Sequence, residues 1–260
     1  QQCGYVYSVG GATTGGALLN DAEYAVINPD GSIGAWSPTA TSFATARHNH
    51  ASVVHGGNLY ILGGRDGSGA FLNDVQFAPI LKDGTLGQWS VTSSFDKPRY
   101  THTTAIDNGY IYLFGGADAT NTFDDVQYAP INADGSLGAW SGATKLPGGR
   151  LEQVGAAYNG FHFLFAGNVG GVASSSVISA PVNSNGSIGT WNETSSVQNA
   201  RWGHAGTLTN NYAYITGGWT GSSQLADLQF APVTAYSAST KSSFSKQFDL
   251  GSSQTIHEII

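Results

Sequence analysis

The sequence predicts an all-β repeat fold, because a short aromatic-apolar run ending in Gly-Gly returns at a nearly constant step. The aromatic residues of successive runs are 51–53 residues apart. The full copies end in Gly10-Gly11, Gly63-Gly64, Gly115-Gly116 and Gly217-Gly218, and a degraded copy ends in Ala166-Gly167. A period near fifty residues indicates a propeller or a solenoid, since one such unit cannot bury its own apolar face.

Each unit is predicted to contain four short strands separated by turns. A second apolar strand follows each Gly-Gly run, at 23–27, 75–80, 126–131, 177–182 and 228–233. Asp-Gly or Asn-Gly follows four of these strands, and both dipeptides supply the positive φ angles of tight hairpins. A tryptophan comes next, and ten or eleven residues later an arginine opens the next unit. No segment shows sustained helical periodicity.

These repeated residues resemble the kelch repeat, whose pattern is Arg-x-x-His, a small-residue strand, aromatic-apolar-Gly-Gly, Asp-Val-x-Tyr and then Trp. Segments 47–89 and 99–140 match that pattern almost completely, and the resemblance covers essentially the whole chain. It implies a β-propeller with one four-stranded blade per repeat. The stretch between the third-strand aromatic residue and the tryptophan is longer than in most kelch repeats, which predicts an extended hairpin before the outermost strand.

We expect one propeller domain over residues 1–260, built of five blades. The blades are expected at about 1–46 together with 255–260, then 47–98, 99–149, 150–200 and 201–254. The N-terminal unit lacks a first strand, and His257 follows His204 at the repeat step. A C-terminal strand that joins the N-terminal blade would close the ring and remove exposed sheet edges. The alternative is that residues from about Phe244 begin another domain of a longer protein.

Composition excludes several classes of function. The net charge is −7 and no basic stripe is present, so we set nucleic-acid binding aside. No stretch approaches the length of a membrane span. The single cysteine, Cys3, excludes an internal disulfide framework. The chain begins at Gln1 with no visible signal peptide, which indicates a processed or excerpted chain. High glycine and low charge are common in bacterial surface β proteins, so we expect an extracellular or cell-surface location.

The arginines that begin the innermost strands are the first candidate binding residues. They are Arg47, Arg99, Arg150 and Arg201. The kelch resemblance implies that arginines here can line the binding face of propellers whose ligands are acidic peptides. Such a ring would suit carboxylates or sugar hydroxyls. The alternative is architectural, with each arginine paired to a repeated strand-start carboxylate, namely Asp21, Asp74, Asp125 or Asp227.

The repeated histidines and tryptophans are interpreted as structural. A propeller would place His50, His102, His204 and His257 many ångströms apart, whereas zinc needs ligands about 2.0–2.1 Å from one centre. We therefore expect histidines that hydrogen-bond to neighbouring backbone, with no metal site and no cofactor. The tryptophans at 36, 89, 140 and 191 are expected to pack in the core rather than to bind sugar.

The loops that follow Gly-Gly differ between units and are the second candidate site. They cover 12–18, 65–71, 117–123, 168–174 and 219–224, and contain Arg65, Asn168 and Trp219 as candidate ligand contacts. Adjacent antiparallel strands run in opposite directions, so these loops should share an end with the starts of the innermost strands. The repeat from Arg150 is the most divergent, because it carries Glu152 where other units hold a neutral residue.

We expect a non-catalytic extracellular or cell-surface binding or adhesion module that contacts a glycan or a protein ligand through one propeller face. Enzymes normally have closely placed, unrepeated acid and base groups, and the sequence offers few. Two alternatives stay open. One is a carbohydrate-active enzyme, since some kelch-like propellers are sialic-acid mutarotases. The other is a purely structural surface or filament subunit.

Overall fold

The regular structure of the chain consists of β-strands. The computed structural model describes residues 4–233 and 246–249, and in them the strands form five antiparallel sheets. The expected strand at 255–260, which would join the N-terminal blade, lies outside the described residues. Within the described part of the chain, no helix has the length and apolarity to cross a membrane.

The first two sheets follow the predicted repeat. The first has the order β1-β2-β3 and is built of β1 (Gly4–Ala12), β2 (Leu18–Ile27) and β3 (Ser37–Pro38). In the second, two short strands pair with the same edge of a longer one, and the order continues outwards through two more strands. Its strands are β4 (Arg47–His48), β5 (Ala51–His55), β6 (Asn58–Asp66), β7 (Phe71–Pro79) and β8 (Ser90–Thr92).

The other three sheets repeat this antiparallel order. The third consists of β9 (Thr103–Asp107), β10 (Tyr110–Phe114), β11 (Val126–Pro130) and β12 (Ser141–Ala143). The fourth consists of β13 (Arg150–Leu151), β14 (Val154–Tyr158), β15 (Phe161–Phe165), β16 (Asn168–Val169), β17 (Val172–Pro181) and β18 (Asn192–Arg201). The fifth consists of β19 (Ala205–Thr209), β20 (Tyr212–Thr216), β21 (Asp227–Pro232) and β22 (Lys246–Asp249).

The described residues divide into two compact units, each with its own apolar cluster. One unit runs as far as Tyr112 and also holds Ala117–Asn121 and Gln127–Ser141, and the other holds Leu113–Gly116, Thr122–Val126 and the described residues from Gly142. In the first, Leu59 and Leu86 belong to a buried cluster with two alanines. In the second, Phe165 packs with Val177, Val197 and Ile215. Both clusters use side chains from consecutive repeats, as expected of units that cannot bury an apolar face alone.

The extended hairpin predicted after the third strand is present, and its turns are built as expected. In the first sheet, the Asn28 amide donates to the Ser32 carbonyl at 2.8 Å, and the Asp30 carboxylate accepts from the Ser32 amide at 2.9 Å. Gly31 adopts a φ of 82°, a value that favours glycine. The aspartate therefore caps its own turn, which gives this repeated Asp-Gly a structural role.

The tryptophans precede the outermost strands, and they are not equally buried. Trp191 is buried, and its indole N–H donates to the Thr144 carbonyl at 3.0 Å. Trp89 and Trp140 are partly buried. Trp36 is 46% exposed, so the expectation of core packing is wrong for that residue.

Two of the repeated arginines form buried ion pairs inside their own repeat. Both Nη atoms of Arg201 donate to the Asp227 carboxylate at 2.7 Å, and Nη1 also donates to the Gly217 carbonyl at 2.8 Å. Arg47 holds Asp74 in the same way, at 2.7 and 2.9 Å. One side chain thus connects the start of the innermost strand, the Gly-Gly segment and the next strand.

A glutamine two residues after the aspartate completes this network. Gln229 Nε2 donates to Asp227 at 2.7 Å, and its Oε1 accepts from the Gln198 amide at 2.8 Å. Gln198 lies three residues before Arg201, in the segment that leads from one repeat to the next. Burial alone would raise the pKa of Asp227, but the hydrogen bonds from Arg201 and Gln229 hold that pKa below its usual value.

The divergent fourth repeat lacks the carboxylate of this network. Arg150 is buried, and its Nη2 donates to the Ser176 hydroxyl at 2.7 Å where the other repeats place aspartate. Its Nη1 donates to the Ala166 carbonyl at 2.5 Å, and Nε has no hydrogen-bond partner among the described residues. Burial lowers the pKa of Arg150 to about 10, and the negative charge of Glu193 offsets only part of that shift.

We expect Ser176→Asp to stabilise the chain, since the new carboxylate would meet a guanidinium whose burial is already part of the fold. The free energy of unfolding should rise by about 1–3 kcal/mol in urea titrations. The matched control is Asp227→Ser, which leaves Arg201 without its carboxylate and should lower that free energy by about 3–5 kcal/mol. A Ser176→Asp chain that is no more stable than the parent, beside a destabilised Asp227→Ser chain, would contradict this account.

Candidate functional site

In each complete repeat, the start of the innermost strand pairs with the loop that follows Gly-Gly. In the second sheet, β4 pairs with the end of β6, with His48 opposite Arg65. In the fifth sheet, the amides of Trp202 and Trp219 donate to each other's carbonyls at 3.0 and 2.9 Å. The expectation that these loops and the innermost strand starts share an end is confirmed for each of these sheets. We call this the loop end of a sheet.

A residue with positive φ recurs at every loop end, two positions after the repeated arginine. These residues are Asn49, Thr101 and Glu152, each with a φ of 53°, and Gly203, with a φ of 61°. Their backbones are linked inside each unit: the Thr101 amide donates to the Asn49 carbonyl at 2.9 Å, and the Gly203 amide donates to the Glu152 carbonyl at 3.1 Å. The fold therefore fixes the backbone here and leaves the side chain free to vary.

The four repeated arginines lie under the surface. Arg47, Arg99 and Arg201 have no exposed area, and Arg150 is 5% exposed. The aspartate pairs of Arg47 and Arg201 match the architectural alternative, and Arg99 Nε donates to the Lys97 carbonyl at 3.1 Å. In this structure these guanidiniums bind groups of their own repeat and of the segment just before it, and they have little or no area exposed to a ligand.

The three loop candidates differ in how free their side chains are. Arg65 is exposed, but its Nε donates to the Gly69 carbonyl at 3.1 Å and its guanidinium lies 5.5 Å from the centre of the Phe71 ring. The Asn168 side chain accepts from the Gly171 amide at 2.9 Å and caps its own turn. Trp219 is 36% exposed, and it is the one of the three that lines a cleft.

This cleft lies in the second unit, at the loop end formed by the fourth and fifth repeats. Its volume is about 490 Å³, and its walls are Glu152, Trp202, Gly203, Gly218, Trp219, Gln224 and Leu225. Four of these residues lie in the segment 218–225, whose ends are joined by a hydrogen bond from the Leu225 amide to the Gly218 carbonyl at 2.9 Å. The lining thus includes two tryptophans, a glutamine and a glutamate.

Glu152 is the ionisable group in the lining of this cleft. Its carboxylate is half-buried and makes no hydrogen bond or ion pair with any residue that the structure describes. Burial raises the pKa of Glu152, because the charged form has lost water without a compensating partner. Gly203 leaves the carboxylate open to the cleft, since a Cβ at that position would lie 3.3 Å from Oε2.

The repeated histidines lie in separate repeats, beside the strand before each Gly-Gly. His102 and His204 are buried. The Leu62 carbonyl lies near the His102 ring and the Phe165 carbonyl near the His204 ring, but the geometry of neither contact is good enough for a hydrogen bond. Gln153, which replaces histidine in the fourth repeat, does complete it: Nε2 donates to the Phe114 carbonyl at 3.0 Å. Among the residues described, no three His, Cys, Asp or Glu side chains form a metal-binding group.

Sequence reasoning found part of this cleft. It selected Trp219, and it noted Glu152 as a divergent residue without assigning it to a site. It missed Trp202 and Gln224, since neither repeats and neither stands out in composition. The sequence did contain a signal for Glu152 and Trp202. The two positions between Arg and His in Arg-x-x-His are occupied by chemically different residues in each repeat.

Comparison with known sequences places kelch relatives along much of the chain. The KLHDC2/KLHL20/DRC7 Kelch-repeats domain matches residues 2–178. A "tRNA wybutosine-synthesizing protein 2/3/4" from Oryza sativa subsp. japonica is 30% identical over 79 residues, which is 29% of this chain and 7% of that protein. Alpha-scruin from Limulus polyphemus is 32% identical over 92 residues, which is 33% of this chain and 10% of scruin. The chain thus spans a tenth or less of these relatives.

A solved structure supports the fold. The structure of YjhT superposes with a TM-score of 0.69 at 15% sequence identity, and the match covers 88% of this chain and 80% of that chain. At that identity the likeness concerns the fold alone. Together with the five antiparallel sheets, it establishes a five-bladed β-propeller arrangement, as the repeat pattern predicted.

We expect stability to fall as the pH is lowered from about 6.5 towards 4. Burial, and then the nearby Arg99 charge, lower the pKa of His102 from 6.5 to about 3. An unfolded imidazole takes up its proton near 6.5, so acid favours the unfolded chain throughout this window. His102→Gln copies the residue found at Gln153. Between these pH values the free energy of unfolding should fall in this variant too, but by at least about 1 kcal/mol less than in the parent chain.

Thermal unfolding measured at several pH values is the check, with His55→Gln as the control. His55 lies at the exposed end of β5. Parallel pH curves for the parent and the His102→Gln chain would contradict a buried neutral imidazole at position 102.

Proposed function

Because the chain belongs to the kelch-repeat family, we propose that it is a non-catalytic binding module that holds a partner protein at the loop ends of its sheets. The observation that carries this proposal is the cleft of Glu152, Trp202 and Trp219. The kelch-propeller fold itself suggests protein binding. We further propose that the module acts outside the cell or at its surface, for which the glycine-rich, weakly charged composition is the support.

Variation at fixed backbone positions supports a binding role for the loop ends. The first residue after Gly-Gly, or its degraded copy, is Ala12, Arg65, Ala117, Asn168 or Trp219 in the successive repeats. The buried arginine, the aspartate and the Gly-Gly segment change far less, because each holds strands together. A scaffold that repeats while its end positions differ in size and chemistry is the pattern of a binding surface on a rigid support.

Trp219 is the side chain that most favours a protein ligand. More than a third of its surface is exposed, although the backbone on both sides of it is hydrogen-bonded. An exposed indole on a rigid loop loses little conformational entropy on binding, and tryptophan is enriched among residues that dominate protein interfaces. A glycan that stacks on the same indole is the second kind of partner that this surface suits.

One observation favours the carbohydrate-active alternative. The raised pKa of Glu152 in a cleft is a property of catalytic acids. Glycoside hydrolysis uses a pair of carboxylates, and the described lining supplies one. Release of methylumbelliferone from 4-methylumbelliferyl glycosides by the parent chain, lost in Glu152→Gln, would establish this alternative in place of a non-catalytic role.

The proposal is tested by photo-crosslinking from the loop end. A benzoylphenylalanine at position 222, which is exposed in the same loop and leaves Trp219 in place, should form an adduct of defined mass with a protein from the source organism. One at position 83, in a hairpin turn, should not. Position 83 is the matched control, because Asp83 is exposed and hydrogen-bonds only within its own turn. Adducts from position 83 alone, or from neither position, would overturn a partner site at the loop end.

A further inference from the structure

The cleft in the second unit brings an unpaired carboxylate and two tryptophans to one space. It has one half-buried carboxylate, two indoles, a glutamine and two glycines, and none of the described residues that line it is a lysine, arginine or histidine. The nearby buried arginines are directed elsewhere: Arg201 is engaged by Asp227, and Arg150 by Ser176. The Glu152 carboxylate therefore has no cation of the described chain within bonding distance.

The fold does not require a carboxylate at this position. The equivalent residues are Asn49, Thr101 and Gly203, and all of them adopt the same left-handed backbone without a charge. Asparagine and glycine adopt this conformation more readily than glutamate. Glu152 therefore keeps a charge that is costly to bury, at a position where the rest of the chain uses neutral residues.

The neighbouring glycine exposes that charge to the cleft. A Cβ at Gly203 would lie 3.3 Å from Glu152 Oε2, so a side chain there would crowd or cover the carboxylate. Gly218 is required for a different reason, since a Cβ there would lie 2.8 Å from the Trp202 carbonyl, the same backbone approach that Gly64 makes to His48. Gly203 is therefore the glycine of the lining that bears on access to the carboxylate.

We propose that this cleft binds an organic ammonium cation, and that lysine of the partner protein, with or without methyl groups on Nε, is its source. This inference rests on the proposed function. The carboxylate would neutralise the charge, and the electron-rich faces of Trp202 and Trp219 would contact the ammonium group or its methyl and methylene groups. A neutral sugar could accept or donate hydrogen bonds here but would leave the carboxylate without a counter-ion.

The chemistry excludes anionic ligands from the same space. A carboxylate or sialic acid would be placed against Glu152 with no described cation in the lining to offset the repulsion. Because burial raises the pKa of Glu152, a bound cation should lower that pKa again. Ligand affinity should therefore increase as the pH rises through the range in which Glu152 ionises, and decrease with added salt.

The test titrates the full chain with blocked amino acids and follows tryptophan emission and heat. The probes are Nα-acetyl-lysine methylamide, its Nε-trimethyl form, its Nε-acetyl form and the norleucine analogue. Tetramethylammonium chloride serves as the free small cation. We expect both cationic lysines to bind at least about tenfold more tightly than the neutral analogues. Tighter binding of tetramethylammonium than of either lysine would identify a free amine as the source.

Variants separate the charge from the shape of the cleft. Glu152→Gln should weaken the cationic lysines at least about tenfold, and Trp219→Ala should weaken them by a similar factor. Glu152→Asn, which copies Asn49 in the same backbone conformation, serves as a second variant if Glu152→Gln folds poorly. Arg65→Ala is the matched control, since it occupies the position of Trp219 in another repeat and should leave affinity unchanged.

Equal affinity for lysine and its Nε-acetyl form, unchanged affinity in Glu152→Gln, or no saturable binding of any cation would each overturn the cation site. The two proposals can fail separately. Crosslinks at position 222 without cation binding would leave the partner site standing and remove its proposed chemistry. Cation binding without crosslinks would leave a small-cation site and remove the partner protein.

Discussion

The structure depends on a buried guanidinium of which every nitrogen donates a hydrogen bond. Arg201 connects the carboxylate of Asp227 to the Gly217 carbonyl, and Gln229 connects the same carboxylate to the segment that leads into the arginine. A charge without exposed area is tolerated because each of its bonds ends on an atom that would otherwise need its own partner. Short strands with little apolar area are thus joined by hydrogen bonds of charged groups, which are stronger than neutral ones.

The same network explains why the loop ends can vary. The arginine, the aspartate and the glycines fix where the innermost strand begins. The two residues that follow the arginine then need only the right backbone conformation, and their side chains can differ. Asn49, Thr101, Glu152 and Gly203 share that conformation and nothing else. The buried hydrogen bonds stabilise the fold, so substitutions at the loop end can change which ligand binds without unfolding the sheet.

Sequence reasoning predicted the repeats, the hairpins and the all-β fold, because each rests on a local rule repeated several times. Asp-Gly turns and Gly-Gly segments need positive φ wherever they occur, so one copy confirms another. Burial of single side chains was harder to predict. Trp36 and Trp191 occupy the same sequence position, yet the first is exposed and the second is not. Such burial depends on which residues of another repeat contact the indole, as Thr144 contacts Trp191, and the pattern does not specify these contacts. For the arginines, the sequence left two roles open, a ring that binds a ligand and a network of ion pairs. The structure shows the ion pairs at Arg47 and Arg201.

The candidate site was the least predictable part, for a physical reason. A repeat pattern reveals what every unit shares, whereas a ligand is recognised by what one unit does differently. Glu152 and Trp219 lie 67 residues apart in the sequence and meet because the backbone bonds at Gly203 and Trp202 bring their two repeats together. Neither residue alone indicates chemistry: a single carboxylate is usually solvated, and a single exposed indole is common on protein surfaces. Their juxtaposition in one cleft, beside a glycine that leaves the carboxylate uncovered, gives a specific chemical expectation. The cation in that expectation differs from the acidic or sugar ligand that exposed arginines would have favoured.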